Sequence, residues 1–193
     1  DGILTYSDMV IPYIQNVYGR NARSIGMGVD PQEDSSGKDG NYILHSTDGS
    51  PLKHTEMLMD SIPFFKERFP NIDVKIINNQ INPLSREEYL KACAGATLGV
   101  YMGTGAAGVQ SLFILEMMAM GKCVVRPDNS PEVENLVTGR TFKAGDIKDF
   151  QRVVLEVLED SLERNIMGLL AFVHVREKYR WENVAKNLIE AIS

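Results

Sequence analysis

The sequence predicts an α/β domain built on a doubly wound, Rossmann-like parallel sheet with helices on both faces. Two observations lead to this fold class. Strand-length apolar segments alternate with amphipathic helical segments from Asn41 onward, and the connections between them are short. The helix that begins at Ser111 is apolar on most of its circumference, as expected for a helix buried in such a domain. Sheets of this kind bind ligands beyond the carboxyl ends of their strands.

A polar segment rich in turn-forming residues, Pro31–Gly40, predicts a connection near the start of the chain. We therefore divide the chain into a lead-in over residues 1–36 and a main domain over residues 37–193. The lead-in is predicted to hold a strand over Gly2–Tyr6, a helix from the N-cap Ser7 to Tyr18, and an extended stretch over Ala22–Met27.

In the main domain, apolar spacing and capping signals define the elements. Ser85–Glu88 is a capping box, and Ser130 followed by Pro131 predicts a short helix that ends at Val137. Strands are predicted at Asn41–Ser46, Asp73–Asn78, Leu98–Met102, Lys122–Arg126 and Thr141–Phe142. The loops at their carboxyl ends are His45–Lys53, Asn78–Leu84, Met102–Gly108 and Arg126–Ser130.

The last third of the chain is predicted to be helical, with three apolar faces. The first is formed by Phe150, Val153, Val154, Val157 and Leu158, the second by Leu162, Ile166, Leu169, Leu170 and Val173, and the third by Trp181, Val184, Leu188 and Ile192.

Composition excludes several classes of protein. A net charge of −6 in 193 residues argues against a nucleic-acid-binding surface, which needs a basic face. No apolar run approaches the ~20 residues of a membrane-spanning helix.

Cys93 and Cys123 lie in apolar surroundings and are expected to be reduced, which fits a cytoplasmic protein. The chain starts on a strand without an initiator methionine, so we expect it to be a piece of a longer protein.

The most informative stretch is Gly108–Lys122, which contains one acid, Glu116, among apolar residues and ends at the helix-stopping Gly121. A carboxylate is rarely buried in such surroundings without a partner. The run Gly103–Gly108 before it lets backbone approach a ligand near a helix N-terminus suited to anions. This run matches the G-x-G-x-x-G pattern, but it follows the third alternating strand and lacks the acidic residue expected about 20 residues later, which argues against a dinucleotide site.

Four segments resemble retaining glycosyltransferases of the GT-B fold, in the group 1 family that includes glycogen and sucrose synthases. The resemblance covers nearly the whole chain and identifies it with the C-terminal, donor-binding half. Leu115–Val125 is similar to the family's LEAMAxGxPVV motif, and Tyr179–Ala185 is similar to its Y-S-W-x-x-V-A motif. Pro131–Gly139, together with Gly145-Asp146, resembles the family's E-V-V-x-x-G…G-D motif. Lys53 resembles the lysine of the family's K-G motif.

The resemblance implies roles for several residues. Glu116 would accept hydrogen bonds from the ribose hydroxyls; the alternative is a structural carboxylate. Lys53 would neutralise the leaving diphosphate; the alternative is an ordinary exposed lysine. Ser46 and Thr47 would donate to phosphate, or else serve the turn. No catalytic residue is assigned. The implied donor site comprises Ser46, Lys53, Gly108, Val109, Gln110, Ser111 and Glu116.

Two departures from the family pattern bear on catalysis. Gly108 stands where the family has a second glutamate, eight residues before Glu116, and Ser46-Thr47-Asp48 occupies the region of an arginine that binds the diphosphate. The leading interpretation is a hexosyltransferase half that uses a nucleotide-sugar without a metal or other cofactor. Its glycan or lipid-linked acceptor would bind a domain before residue 1, where a peripheral membrane contact of the full protein would also lie. The alternatives are a non-catalytic sugar-nucleotide-binding or interaction domain and a dinucleotide-dependent oxidoreductase domain.

Overall fold

A parallel sheet of five strands forms the centre of the molecule, in the order β4-β3-β5-β6-β7. The computed structural model describes residues 2–30, 32, 39–103, 111–129 and 132–193. The strands of this sheet are β3 (Tyr42–Thr47), β4 (Asp73–Asn78), β5 (Leu98–Val100), β6 (Val124–Pro127) and β7 (Arg140–Phe142). The main-domain helices are α2 (Thr55–Arg68), α3 (Arg86–Ala94), α4 (Leu112–Ala119), α5 (Ile147–Glu159), α6 (Ser161–Lys178) and α7 (Trp181–Ile192).

Both faces of this sheet are buried because neighbouring residues of each strand point to opposite sides. Leu44 and Val124 belong to one apolar cluster with residues of α3 and α4. Ile43 and Val125 belong to a second cluster with residues of α2 and α5. Helices therefore cover both faces, and the predicted doubly wound α/β fold is confirmed.

The lead-in forms a small unit of its own. Strands β1 (Ile3–Thr5) and β2 (Ala22–Ser24) make a two-stranded parallel sheet joined through helix α1 (Ile11–Tyr18). Gly19 ends this helix in the left-handed conformation, with φ at 60°, as its sequence position predicts. Helix α7 runs alongside the lead-in, where the Asn187 side chain donates to the Ile25 carbonyl at 3.2 Å.

The predicted short helix from Pro131 to Val137 is wrong for the described part of that segment. Ser130 and Pro131 lie outside the described residues, and residues 132–137 contain no helix, with turns only at Glu132 and at Leu136–Val137. Leu136 has φ at 64°, and the Glu134 amide donates to the Thr138 hydroxyl at 2.9 Å. These local bonds, together with the inward anchoring of the buried Glu132, replace the helical bonds that the capping signals indicated.

Helix α6 is turned differently from what its apolar pattern suggests. Its buried residues are Arg164, Met167, Gly168, Ala171 and Val175. The more strongly apolar face predicted from the sequence, which runs from Leu162 to Val173, is exposed.

Candidate functional site

The strand order creates a crevice at the carboxyl edge of the sheet. After β3 the chain adds β4 on one side and then crosses to β5 on the other, so the direction of winding reverses between β3 and β5. The connections leave opposite faces of the sheet at this point, which is where open α/β sheets bind ligands. Ser46 and Thr47 end β3, and Tyr101 directly follows β5.

Lys53 and Tyr101 meet across this reversal point. Lys53 ends a short 3-10 turn, Pro51–Lys53, that follows β3, and Ser50 caps that turn by accepting from the Leu52 amide. The Lys53 ammonium donates to the Tyr101 hydroxyl at 2.7 Å and is 4.9 Å from the centre of its ring. Lys53 is therefore partly buried and held at the crevice. It differs in this from the ordinary exposed lysine that the sequence left open as an alternative.

Glu116 is buried and paired, as its apolar surroundings predict. Its Oε1 accepts from the Arg86 guanidinium at 2.5 Å, and its Oε2 accepts from the Tyr89 hydroxyl at 2.7 Å. Burial, reinforced by Cys93 and Glu116, raises the pKa of Tyr89, so this phenol remains a donor at neutral pH. Both partners come from α3, whose first turn is fixed by the capping box at Ser85.

A second buried pair lies behind Tyr101. The Arg126 guanidinium, at the end of β6, donates to the Glu132 carboxylate and lies 5.5 Å from the centre of the Tyr101 ring. The other oxygen of Glu132 accepts from the Ser111 amide at 2.7 Å. Burial lowers the pKa of Arg126 and raises that of Glu132. The pair thereby ties the start of α4 to the tyrosine that holds Lys53.

His45 is buried in β3 and has a structural role. Its Nδ1 lies 3.0 Å from the Val100 carbonyl, which can only accept, so Nδ1 carries the proton and Nε2 accepts from the Thr55 hydroxyl at 3.2 Å. Burial, as the main cause, lowers the pKa of His45 to about 4. The ring is neutral at physiological pH and joins β3 to β5 and to the start of α2.

Two neighbouring cavities make up the cleft. One, of about 480 Å³, is lined by Glu116, Arg86 and Tyr89, and the other, of about 240 Å³, by Lys53, Tyr101 and Ser111. Their combined volume falls in the range of small-molecule sites. The lining residues common to both are Ser46, Asn79, Leu112 and Phe113.

The cleft unites four of the seven sequence-predicted site residues: Ser46, Lys53, Ser111 and Glu116. The other three, Gly108, Val109 and Gln110, lie outside the described residues. Sequence reasoning did not identify Arg86, Tyr101 or Arg126. The only sequence signal for Arg86 was the need of Glu116 for a partner, and that signal does not say which arginine is near.

No group of three or more His, Cys, Asp or Glu side chains suited to a metal ion occurs among the described residues. Within the same residues, no helix has both the length and the hydropathy to span a membrane. Cys93 and Cys123 are both buried and unbonded to each other, as predicted.

Several solved structures share this fold over the whole chain. A mutant of TarM from S. aureus, solved with UDP, Fondaparinux and alpha-GlcNAc-glycerol, matches 98% of this chain and 43% of its own at TM-score 0.84 and 16% identity. Sucrose-phosphate synthase from Thermosynechococcus elongatus matches 100% of this chain and 57% of its own at TM-score 0.78 and 15% identity. HepE from Anabaena, solved with UDP and glucose, matches 99% and 62% at TM-score 0.78 and 15% identity.

The chain spans about half the length of these proteins. The resemblance to GT-B glycosyltransferases is confirmed at the level of the fold. No family model matches the sequence, and no curated protein matches it.

Proposed function

We propose that this chain is the nucleotide-sugar-binding half of a glycosyltransferase that transfers a hexose with retention of configuration. One observation carries the proposal: a cleft at the reversal point of the sheet brings a fixed ammonium, Lys53, and a buried carboxylate, Glu116, to one ligand-sized site. The fold is shared with TarM and HepE, which were solved with UDP.

The chemistry of the two groups fits the two ends of a nucleoside diphosphate. Lys53 supplies positive charge for phosphate oxygens, in the part of the cleft that Ser46 and Thr47 also line. Among the described residues, Oε1 of Glu116 accepts from Arg86 and Oε2 accepts from Tyr89. An ionised carboxylate has about four acceptor positions, so Glu116 retains capacity for two ribose hydroxyls.

A second candidate is a domain that binds the nucleotide but does not catalyse transfer. The observation that favours it is Gly108, which stands where the family pattern has a glutamate near the reacting sugar. Nucleotide binding without transfer by the full-length protein, in the presence of acceptor, would support this candidate.

A thermal-shift screen tests the proposal directly. UDP, GDP, ADP, their sugar conjugates and NAD are added separately, each at ~1 mM. A ligand with Kd of ~10 µM stabilises the fold by about 2.7 kcal/mol at that concentration and raises Tm by roughly 5–10 °C in a chain of this size. A selective shift with one nucleoside diphosphate supports the proposal and identifies the base. A shift with NAD alone, or with none of the ligands, contradicts it.

Glu116→Gln tests the assigned role of the carboxylate. If Glu116 holds the ribose, nucleotide affinity falls by more than ~1 kcal/mol, which is about fivefold or more. The matched control is Glu87→Gln on α3, where the exposed carboxylate pairs with Lys91 at 2.7 Å. Loss of stability with unchanged affinity would instead assign Glu116 to holding Arg86 in place.

A further inference from the structure

The smaller cavity of the cleft contains little positive charge for a site that would hold a diphosphate. Among the described residues that line it, Lys53 is the cation and Asp48 is an opposing carboxylate. Residues 104–110, which follow β5 in the sequence, contain no Lys or Arg. The diphosphate of a nucleotide-sugar carries a negative charge on each phosphate, so one lysine leaves it incompletely neutralised, and further hydrogen-bond donors are needed to complete the site.

The Tyr101 hydroxyl is a second donor beside this lysine. Its oxygen accepts from the Lys53 ammonium at 2.7 Å, and a phenol that accepts one bond can still donate its own hydrogen. Within the part of the chain that the structure describes, no acceptor bonds this hydrogen. Tyr101 lines the same cavity, although only 7% of the residue is exposed. A ligand oxygen in the cavity would therefore meet two neighbouring donors, an ammonium and a phenol.

The surroundings of the Tyr101 ring hold its hydroxyl in place. A Cβ added to Gly103 would lie 2.6 Å from a ring carbon of Tyr101 and 2.7 Å from its hydroxyl oxygen, so the ring occupies space that only a glycine leaves free. The Arg126 guanidinium lies 5.5 Å from the ring centre and is itself fixed by Glu132. Because the hydroxyl is positioned before a ligand arrives, binding to it loses little conformational freedom.

We propose that Tyr101 is a phosphate-binding residue of this cleft, an inference that rests on the nucleotide-binding function proposed above. Its hydroxyl donates to a phosphate oxygen of the bound nucleoside diphosphate. The same hydroxyl continues to accept from Lys53, whose ammonium binds the diphosphate beside it. Tyr101 is then the neutral second donor of a site that has a single cation among its described lining residues.

Tyr101→Phe tests the proposal, because it removes the hydroxyl and keeps the ring. We expect the Kd for a nucleoside diphosphate to rise about tenfold, since a hydrogen bond to a charged group is lost. The Kd for the corresponding nucleoside, which has no phosphate, should stay unchanged. UDP, GDP and ADP are compared with uridine, guanosine and adenosine by NMR chemical-shift titration of the 193-residue chain, a method that also measures weak binding.

Tyr89→Phe is the matched control, since Tyr89 also has a hydroxyl in the cleft but donates it to Glu116 at 2.7 Å. This substitution should change the Kd values for nucleoside and nucleoside diphosphate by the same factor. Circular dichroism verifies that both variants are folded. If Tyr101→Phe also changes both values by the same factor, or changes neither, this proposal is overturned while the nucleotide-binding function stands. A wild-type chain that binds none of the three nucleoside diphosphates overturns both.

The salt dependence of binding separates direct donation by Tyr101 from a role in holding Lys53. Salt screens the attraction between the Lys53 ammonium and the phosphates, but it has little effect on a hydrogen bond from an uncharged phenol. Lys53→Gln should therefore reduce the loss of nucleoside diphosphate affinity between about 0.05 and 0.5 M salt, whereas Tyr101→Phe should keep the wild-type loss. An equal reduction in both variants would show that Tyr101 acts only through Lys53 and would overturn the proposal.

Discussion

Arg126 and Glu132 form a buried ion pair in which each charge is stabilised by the other. Both side chains are almost completely buried, so removing one leaves a charge without its partner in a medium that solvates it poorly. We expect Arg126→Met to lower the free energy of unfolding by about 3–5 kcal/mol in chemical denaturation. Adding Glu132→Gln should recover part of this loss, because the unpaired carboxylate is then absent.

The control for this prediction is Arg152→Met. Arg152 pairs with Asp149 and Glu156 on the exposed side of α5, and surface pairs contribute less than about 1 kcal/mol. Equal stability of Arg126→Met and Arg152→Met would contradict this prediction. The pair would also be uncoupled if the double variant Arg126→Met/Glu132→Gln lost as much free energy of unfolding as the sum of its two single substitutions.

The lowered pKa of His45 predicts that the free energy of unfolding falls as the pH falls. Its folded-state pKa of about 4 lies below the ordinary 6.5, so the unfolded chain takes up the proton first as pH falls. The stabilisation is complete above the ordinary value and is lost toward pH 4. Between pH 6.5 and pH 5 the loss from this residue is about 1.6 kcal/mol.

The measurement is the difference in pH slope between the wild type and His45→Asn, whose amide can still donate to the Val100 carbonyl. His174→Gln is the control, because His174 is only partly buried. A slope unchanged by His45→Asn would show that this histidine is not the titrating group.

At the residue scale, the sequence predicted which side chain needed a partner but not which partner it has. Glu116 was recognisable because it is the single charge in an apolar helix. Arg86 and Tyr89 lie about 30 positions earlier, and only the packing of α3 beside α4 brings them to it. The same holds for Lys53 and Tyr101, which are 48 positions apart.

At the element scale, local signals were reliable where the contacts they specify are local. The capping box at Ser85 and the left-handed Gly121 formed as predicted, because their bonds lie within a few residues. The helix ending at Val137 did not form in the described residues, because the buried Glu132 is held by Arg126. The face on which α6 is buried also followed from tertiary contact rather than from apolar pattern.

The contact between α6 and the end of α4 gives a prediction for Gly168. Gly168→Ala favours the helix locally, yet its Cβ would meet the Gly121 carbonyl, so we expect a net loss of about 2 kcal/mol or more in the free energy of unfolding. Gly145→Ala is the control: φ there is 78°, with no atom within 4 Å of the added Cβ, and backbone strain alone costs about 1 kcal/mol. A neutral or stabilising Gly168→Ala would mean that α6 can shift freely on α4.

At the scale of the whole molecule, the alternation of strands and helices predicted a parallel sheet, and the cleft lies at the carboxyl edge where the sequence predicted a ligand site. It did not predict that β3 would be the strand on which the winding reverses, because strand order depends on which faces the crossing helices cover. That reversal brings the loops after β3 and β5 together and so creates the cleft.

The lead-in and helix α7 should unfold locally as one unit while the five-stranded sheet stays folded. Helix α7 has no buried residue, and its Trp181 packs on Gly28 and donates to Asp30 at 3.0 Å. We expect Trp181→Ala to speed amide hydrogen exchange in β1 and β2 by about tenfold, equivalent to about 1.4 kcal/mol, while the amides of β3 keep their protection. Trp181→Phe retains a ring against Gly28 and should have a smaller effect. Equal loss of protection in β1 and β3 would show that the lead-in and the main sheet unfold together.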